Sequence, residues 1–567
     1  MAVNQPEKDL SAKLARGSLR DSDALIPNMT PRWIPPWSVW LVLGLAVVAI
    51  LILQSTDLVG DHAVSNVASL IIAFLALILW ILWFGLKSGH SLIIRLMPVA
   101  ALVVIVTIFF AFYRIDHVSG ELVPIFARRF SAHPDQLLPL PDEARLPNTG
   151  RPSDLTHHTP YDFPQFLGPD RTAFVDTVEL AEDWREFKPE ESWKRSIGAG
   201  WSAFSAVNGY AVTMEQRGPL ELTTCYDLET GTIVWSHSTV TRYQNKLGGI
   251  GPRSTPTIYK GRVYSLGVTG QLHCLDGSSG KLRWHKDLPN AFGISAAEDA
   301  ETIYYGRANS PLIVGDAVVI SAGGSEENGP YTLVAYHWQT GEELWRGGDA
   351  QISYSSPSLV ELCGIQQILS VNEQSVSSHN PLTGKSLWSY PWPGNNLSNS
   401  NSSQAVAIDG DKVLLSKGYG NGAMLLQITR GENSAWKAEK IWKKHNVLRT
   451  KFTNVVVKGE HTYGLSDGIL QCVETLTGRT RWKKGRYGHG QILLVNDKIL
   501  VLGENGEVHL VAADPKRHRE FGSFQAIEGT TWNNLCLYGP YLLVRNSQEA
   551  ACFKLPTKTT VLEEPKK

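Results

Sequence analysis

Three uninterrupted apolar runs lie close together near the beginning of the chain, at residues 37–54, 67–86 and 96–113. As an α-helix, each is long enough to cross roughly 30 Å of hydrocarbon. No Asp, Glu, Lys or His lies near the centre of any run, so nothing indicates an ion or proton pathway. The pattern predicts three transmembrane helices over 37–113. Buried core helices are the alternative, but such runs in soluble proteins are usually shorter or amphipathic.

The distribution of basic residues predicts how these helices are oriented. The loop 55–66 between the first two runs contains no Lys or Arg, whereas the second loop contains Lys87 and Arg95. Arg114, Arg128 and Arg129 beyond the third run count against a simple assignment. Basic residues preceding the first run favour a cytoplasmic segment 1–36 and a non-cytoplasmic position for everything after residue 113. These residues are Lys8, Lys13, Arg16, Arg20 and Arg32. In a bacterium, the protein would therefore be a multi-pass inner-membrane protein with a periplasmic or extracytoplasmic domain.

Proline and polar residues dominate the segment 114–161, especially after residue 132. Sequences of this composition do not bury a core, and proline stiffens them into extended conformations. The segment is therefore predicted to be an extended extracytoplasmic tether.

From residue 162 onward the apolar residues alternate in short runs, as in 262–266 and 272–275, and a phrase Asp-x-x-Thr-Gly-x-x-x-Trp recurs. Alternation predicts short strands, and a repeat of about 40 to 60 residues indicates an array of similar units. In the phrase, Asp or Asn bonds its own turn, and Gly takes a positive φ before an apolar strand follows. Each period holds about four strands, which is a propeller blade. The phrase occurs at 227–235, 276–284, 337–345, 380–388 and 474–482, with degenerate copies that end at Trp442 and Phe521.

Counting the aromatic residues that end each unit gives eight blades. These residues are Trp193, Trp235, Trp284, Trp345, Trp388, Trp442, Trp482 and Phe521. The last three strands lack a Trp strand, and the strand at Trp193 lacks preceding strands, so together they would close the ring. The predicted fold is therefore all-β, an eight-bladed β-propeller at 162–556 preceded by three transmembrane α-helices and followed by a disordered tail at 557–567. Seven blades is the alternative, if the copy near Trp442 or Phe521 is misread.

Composition and motifs exclude several classes of function. The chain has 53 Lys and Arg against 54 Asp and Glu, so it lacks the basic excess that nucleic-acid binding requires. Its six cysteines form no Cys-x-x-Cys pair, which argues against zinc-ribbon, thioredoxin-like and c-type cytochrome folds. No Gly-x-Ser-x-Gly, Walker or His-Glu-x-x-His phrase supports a hydrolase or a nucleotide site.

The repeat resembles that of the pyrroloquinoline-quinone (PQQ) repeat family over roughly residues 163–555. This family includes quinoprotein alcohol and glucose dehydrogenases and the propeller scaffold of the Bam complex. Phrases at 163–171, 251–256, 487–491 and 532–534 are similar to those of a bacterial subgroup of exported PQQ-like propellers. The resemblance implies a quinoprotein-dehydrogenase-like propeller, but the repeated Thr-Gly turn and Trp are structural and do not identify the chemistry.

The resemblance also raises the question of a cofactor. Dehydrogenases of the family hold PQQ over the propeller axis against a Trp, and they coordinate calcium through Glu and Asn or Asp. Calcium needs six to eight oxygen ligands. No such cluster can be assigned in this sequence, and the adjacent cysteine pair of many alcohol dehydrogenases is absent. We therefore expect no cofactor, with PQQ and calcium as the alternative.

Polar and aromatic residues precede the first strand of each blade, where the chain should enter the wall of the central channel. Short polar side chains there could instead satisfy loop backbone groups. Arg253, Lys451 and His489 would suit an anionic or carboxylate-bearing ligand, and Trp201 and Trp532 would offer a stacking surface. The predicted ligand-binding residues at the channel mouth are Trp201, Arg253, Asn309, Asn401, Lys451, Asn454, His489, Gln491, Trp532 and Asn533.

These patterns favour a membrane-anchored extracytoplasmic propeller that acts as a protein- or ligand-binding scaffold in the cell envelope, without catalysis of its own. Its partner would be an extracytoplasmic protein, a peptide or an envelope polymer. The alternative is a membrane-bound PQQ-dependent quinoprotein dehydrogenase that oxidises an alcohol or a sugar.

Overall fold

The computed structural model of the protein describes residues 31–56, 62–140, 152–325, 327–394 and 400–559. The chain divides into two compact units, Met1–Arg114 and Ile115–Lys567. The segment predicted to be cytoplasmic, 1–36, lies outside the described residues up to residue 30, and the predicted tail 557–567 lies outside them from residue 560.

The first unit contains the three predicted helices. They are α1 (Trp37–Ser55), α2 (His62–Lys87) and α3 (Leu92–Phe112). Each is long and apolar enough to cross a membrane. Most of their large apolar side chains are exposed, among them Leu45, Leu70 and Val103, as expected of helices whose natural solvent is hydrocarbon. α2 begins at His62, five residues before the apolar run 67–86, so its first turn includes polar residues.

The second unit begins with a hairpin that the sequence pattern did not predict. Strands β1 (Tyr113–Val118) and β2 (Pro124–Arg128) pair, and a single 3₁₀ turn, Pro134–Gln136, follows them. Asp135 is buried and forms an ion pair of 2.6 Å with Arg242 of the propeller. Farther along, Leu155 is only 1% exposed and packs in the propeller core. Within the segment predicted as an extended tether, Asp135 and Leu155 are therefore packed against the propeller, whereas Phe130 and Leu137 are exposed.

The propeller consists of eight sheets. Two strands, β3 (Phe174–Val175) and β4 (Glu190–Ser196), precede the first complete sheet. Blade 1 contains β5 (Ser205–Val207), β6 (Tyr210–Arg217), β7 (Leu220–Asp227) and β8 (Ile233–Val240). A small sheet of β9 (Gln244–Asn245) and β10 (Gly249–Ile250) follows it. Blade 2 contains β11 (Thr257–Tyr259), β12 (Arg262–Leu266), β13 (Gln271–Asp276) and β14 (Leu282–Asp287).

Two short helices, α4 (Leu288–Ala291) and α5 (Ala296–Thr302), connect blade 2 to blade 3. Blade 3 contains β15 (Leu312–Val314), β16 (Ala317–Gly323), β17 (Tyr331–His337) and β18 (Glu343–Gly347). Blade 4 contains β19 (Ser358–Leu362), β20 (Ile365–Val371), β21 (Ser375–His379) and β22 (Ser386–Pro391). Blade 5 contains β23 (Val406–Ile408), β24 (Lys412–Lys417), β25 (Gly422–Arg430) and β26 (Trp436–Lys444).

Blade 6 contains β27 (Val456–Lys458), β28 (His461–Ser466), β29 (Ile469–Glu474) and β30 (Arg479–Arg486). Blade 7 contains β31 (Gln491–Val495), β32 (Lys498–Leu502), β33 (Glu507–Ala512) and β34 (Glu520–Gln525), with β3 added in parallel to β31. Blade 8 contains β35 (Cys536–Tyr538), β36 (Tyr541–Arg545), β37 (Glu549–Lys554) and the early strand β4. In blade 8, Trp193 lies opposite Cys552. The predicted count of eight and the predicted closure through Trp193 are confirmed.

The repeated phrase forms the turn between the last two strands of a blade. In blade 1, the Asp227 carboxylate accepts a hydrogen bond from the Thr230 backbone N–H at 2.9 Å, and Gly231 has a φ of +68°. The indole of Trp193, from the preceding blade, lies against Gly231 and leaves no room for a Cβ. Its Nε1 donates to the Leu228 carbonyl at 2.7 Å. The turn and the Trp therefore form one joint between neighbouring blades.

The same joint recurs around the ring. The Trp–Gly pairs after Trp193–Gly231 are Trp235–Gly280, Trp284–Gly341, Trp345–Gly384 and Trp442–Gly478. The indole N–H groups of Trp235, Trp284, Trp442 and Trp482 donate to the carbonyls of Gly277, Trp338, Thr475 and Asp514. Each buried indole nitrogen thereby obtains a partner in the next blade, as buried polar groups require.

Blade 7 corrects one detail of the sequence interpretation. Leu510 pairs with Gly522 and Val511 with Glu520, so Phe521 occupies the bulge of the last strand. The position that holds Trp in the other blades is therefore Gly522, not Phe521. A Cβ on Gly522 would lie 2.8 Å from the Cβ of Trp184, which fills this space from the segment before β4. The blade count was right, but the closing aromatic was assigned one residue too early.

The joint predicts a difference between two glycines with similar backbone. Gly341 (φ +70°) would place a Cβ 2.7 Å from the indole of Trp284, whereas Gly315 (φ +57°) would meet nothing within 4 Å. Both Ala substitutions carry the backbone cost of a positive φ, but only Gly341→Ala adds overpacking. We expect Gly341→Ala to lower the free energy of unfolding by about 1–3 kcal/mol more than Gly315→Ala. Urea unfolding followed by Trp fluorescence measures both, and equal losses would contradict the joint.

Candidate functional site

The first strands of the blades surround the central axis, since neighbouring ones such as β5, β11 and β15 are in contact. The ten residues predicted at the channel mouth come just before or at the start of these strands and therefore lie around one end of the channel. We call them the mouth residues. Seven are buried, and Trp201, Arg253 and Trp532 are half-buried.

The amides among the mouth residues connect neighbouring blades. The Asn309 side chain donates to the Ser353 and Ser355 carbonyls at 3.1 and 2.6 Å. Further round the ring, Asn401 donates to the Asn372 carbonyl, Gln491 to the Phe452 and Trp532 carbonyls, and Asn533 to the Gly200 and Ser202 carbonyls. Asn454 accepts from the Gln404 N–H. These five amides hold loop backbone, which is the structural alternative considered for short polar residues at this position.

Arg253 and Trp201 hold the loop that contains the small sheet of β9 and β10. The Arg253 guanidinium donates to the Gly251 and Gly248 carbonyls at 2.6 and 2.8 Å and lies over the Tyr243 ring. The Trp201 Nε1 donates to the same Gly248 carbonyl at 2.6 Å. Burial lowers the pKa of Arg253. The Arg253 guanidinium therefore donates to carbonyls of its own loop. These contacts do not pair it with a second cation, as an anionic ligand would require.

Lys451, His489 and Trp532 surround the end of the β1–β2 hairpin. We call residues 119–122, which connect β1 to β2, the hairpin tip. The Lys451 Nζ donates to the Gly120 carbonyl at 3.0 Å, and the Gly120 N–H donates to Glu504 Oε1 at 2.7 Å. Both backbone groups of one residue are thus held by side chains of opposite charge. Charge-assisted hydrogen bonds of this kind are stronger than neutral ones.

Glu504 organises this end of the channel and was not predicted from the sequence. Besides Gly120, its carboxylate accepts hydrogen bonds from the Trp532 Nε1 at 3.0 Å and the His489 backbone N–H at 3.0 Å. Trp532 also packs against Phe452 and Trp201, with ring centroids 4.9 and 4.7 Å away. The tip therefore meets one carboxylate and one ammonium group, and the carboxylate is itself held by the indole of Trp532.

The space around Gly120 accepts only glycine. A Cβ there would lie 2.5 Å from Cδ2 and 2.9 Å from Cβ of His489. Two weaker contacts flank the tip: Glu121 lies 3.6 Å from Arg486, and His117 lies 3.4 Å from the Thr530 hydroxyl. Leu122 and Val123 remain 40% and 47% exposed. Backbone and polar contacts, rather than buried apolar side chains, hold the tip.

The described mouth residues include no cluster of acidic side chains like the one that holds calcium in the dehydrogenases. Calcium requires several convergent oxygen ligands. Within the described parts of the chain, no group of three or more His, Cys, Asp or Glu could hold a metal ion. The Glu504 carboxylate at the mouth already accepts three hydrogen bonds from protein groups. We therefore assign no step to such a cofactor.

Comparisons with known proteins agree with the fold. Residues 221–484 match the PQQ_2 family model, described as outer membrane protein assembly factor BamB. A europium-containing methanol dehydrogenase is 12% identical, with 70% of this chain and 98% of that chain covered and a TM-score of 0.52. A quinohemoprotein alcohol dehydrogenase from Comamonas testosteroni is 14% identical, with 73% and 82% covered and a TM-score of 0.51.

BamB from Moraxella catarrhalis is 12% identical, with 65% of this chain and 100% of that chain covered and a TM-score of 0.47. No curated protein matches the chain. At these identities the structural likeness shows the fold alone. The expected resemblance to PQQ-repeat propellers is confirmed.

Three imidazoles form a separate cluster, one on β8 of blade 1 and two on β13 and β14 of blade 2. The ring centroid of His273 lies 5.1 Å from that of His237 and 4.9 Å from that of His285. Burial, reinforced by the neighbouring imidazoles, lowers the pKa of His273 to about 3. His273 is therefore neutral in the folded protein at any pH near neutrality.

This cluster predicts a pH dependence of stability. His273 has a lower pKa when folded than the usual value near 6.5, so the unfolded chain binds the extra proton and stability falls as pH drops from 6.5 towards 3. When the pH is lowered from 7 to 5, the free energy of unfolding should fall in both proteins. The fall should be about 1–2 kcal/mol smaller in His273→Gln than in the wild type. Substituting the exposed His445 by Gln should leave the wild-type slope unchanged. Parallel curves for all three proteins would refute the prediction.

Proposed function

We propose that this PQQ-repeat propeller is a protein-binding scaffold anchored in a bacterial inner membrane by α1–α3, with the propeller on the extracytoplasmic side and no catalysis of its own. The observation that supports this role is at the mouth. There, Lys451 and Glu504 hold the carbonyl and N–H of Gly120, which makes the mouth a receptor for peptide backbone. Main-chain recognition is a general way in which rigid β-structures bind other proteins.

Rigid construction of the mouth supports the same role. Amide side chains such as Asn309 and Asn533 connect the loops of adjacent blades. The polar groups on these loops are therefore held in place before a ligand binds. Pre-organised groups lose little conformational freedom on binding. Catalysis by a quinoprotein would instead need calcium ligands that converge on the axis.

The cofactor hypothesis is tested by adding PQQ and calcium to the purified full-length protein. We expect the absorbance spectrum and the thermal midpoint to remain unchanged, and no dye-linked oxidation of alcohols or sugars, because no cluster of acidic calcium ligands lies among the described mouth residues. A stoichiometric spectral change, together with alcohol or sugar oxidation, would establish the dehydrogenase alternative and reject the proposed function.

The anchoring is tested by cysteine labelling in a chain that carries Cys363→Ser, which removes the half-buried cysteine; the other native cysteines are buried. Lys516 is exposed on the propeller. We expect Lys516→Cys to react with a membrane-impermeant maleimide in cells whose outer membrane has been permeabilised, and Ala2→Cys to react only after lysis. Orientation follows from the basic residues before the first helix. Labelling of Ala2→Cys before lysis, with Lys516→Cys protected, would invert the proposed topology.

A further inference from the structure

We propose that the propeller mouth is a binding site for a glycine-centred peptide turn, and that the hairpin tip fills it as an intramolecular ligand until a turn of the same chemistry in an extracytoplasmic partner protein replaces it. The inference rests on the proposed scaffold function and specifies its binding site and the class of its partner.

The chemistry of the site matches a peptide turn. Lys451 is only 3% exposed, and its ammonium group binds the Gly120 carbonyl, while Glu504 binds the N–H of the same residue. Two charges of opposite sign that hold both backbone groups of one residue recognise a peptide unit independently of side chains. They do not suit an anion, because the carboxylate of Glu504 would repel it.

Selectivity for glycine comes from His489. Any side chain at the central residue of the turn would collide with the imidazole and with the Cβ of His489. A partner must therefore present glycine at the centre of its turn, between residues that tolerate partial burial, because Ser119 and Glu121 are half-buried here. Phe452 and Trp532 pack against each other near His489, with their rings tilted by 53°.

The tip is held in a way that permits exchange. Its neighbours Leu122 and Val123 are exposed, so leaving the mouth uncovers little apolar surface. An isolated two-stranded hairpin is itself only marginally stable in water. Covalent attachment gives the tip an effective concentration on the order of millimolar, so a partner in trans succeeds only by binding more tightly than the tip.

The first experiment opens the mouth. In Gly120→Leu the new side chain would overlap His489, so the tip should leave. Opening is measured in a Glu121→Cys, Cys363→Ser chain, where maleimide labelling of residue 121 should accelerate at least about tenfold when Gly120→Leu is added. Gly431→Leu is the matched control, since a Cβ at Gly431 meets only the Ala435 carbonyl, at 3.7 Å. If Gly120→Leu and Gly431→Leu label alike, the steric premise is wrong and the proposal falls.

The second experiment measures binding with a fluorescein-labelled synthetic peptide of residues 115–127 and the full-length protein in nanodiscs. Fluorescence anisotropy should show at least about tenfold tighter binding to Gly120→Leu than to the wild type or to Gly431→Leu, because only the open mouth is available. The same peptide with Leu in place of glycine at position 120 should bind at least about tenfold more weakly. Adding Lys451→Met to Gly120→Leu should remove binding.

Two outcomes would overturn the inference. One is absence of peptide binding to a Gly120→Leu protein whose thermal midpoint matches that of Gly431→Leu. The other is binding that persists unchanged with Lys451→Met or with the leucine peptide. Neither peptide result depends on PQQ. If the peptide fails to bind and the cofactor titration is also negative, the protein remains a scaffold, but one that binds its partner through another surface. A positive cofactor titration would reject the scaffold function independently of the peptide measurement.

Discussion

The contact between an indole and a glycine turn is the constraint on which the whole propeller depends. In five of the eight blades the last strand carries a Trp that lies on the glycine of the next blade's turn, as Trp284 does on Gly341, where its N–H also reaches a carbonyl of that turn. Shape and hydrogen bonding are therefore satisfied by one contact. Because a blade contacts mainly its two neighbours, the joints between neighbouring blades stabilise the ring. The joint at Trp193 is decisive because it connects the last blade to the first.

Where the repeat degenerates, other residues replace the joint. Blade 5 lacks the Thr-Gly turn. The Trp388 N–H of blade 4 therefore has no such turn to bond, and it donates to Gln367 of blade 4 at 2.9 Å. In blade 7 the Trp position is Gly522, and Trp184 occupies the space from outside the repeat. The requirement is therefore that the space at the joint is filled, rather than that a particular residue fills it, which is why a count of strict repeats undercounts the blades.

Sequence reasoning succeeded where the signal is local and periodic. It identified the blades and their closure at Trp193, because the Thr-Gly-to-Trp spacing repeats. It missed the hairpin and Glu504, since the bonds from Gly120 to Lys451 and Glu504 join residues 331 and 384 positions apart. A glycine between two short alternating runs has no pattern that indicates its distant partner. Proline-rich composition after residue 132 also obscured the packing of Asp135 and Leu155.

Departures from the repeat distinguish the residues that build the propeller from those that give it a function. Short amides such as Asn309 and Asn533 connect adjacent blades, and their equivalents recur around the ring. Phe452, His489 and Trp532 stand at corresponding positions in blades 6 to 8, with Lys451 one residue before Phe452, and these side chains are larger and different from one another. The tip meets this irregular arc, as its contacts with Lys451 and His489 show. Because rigid amide joints fix the arc on both sides, its shape can select a glycine turn without further ordering.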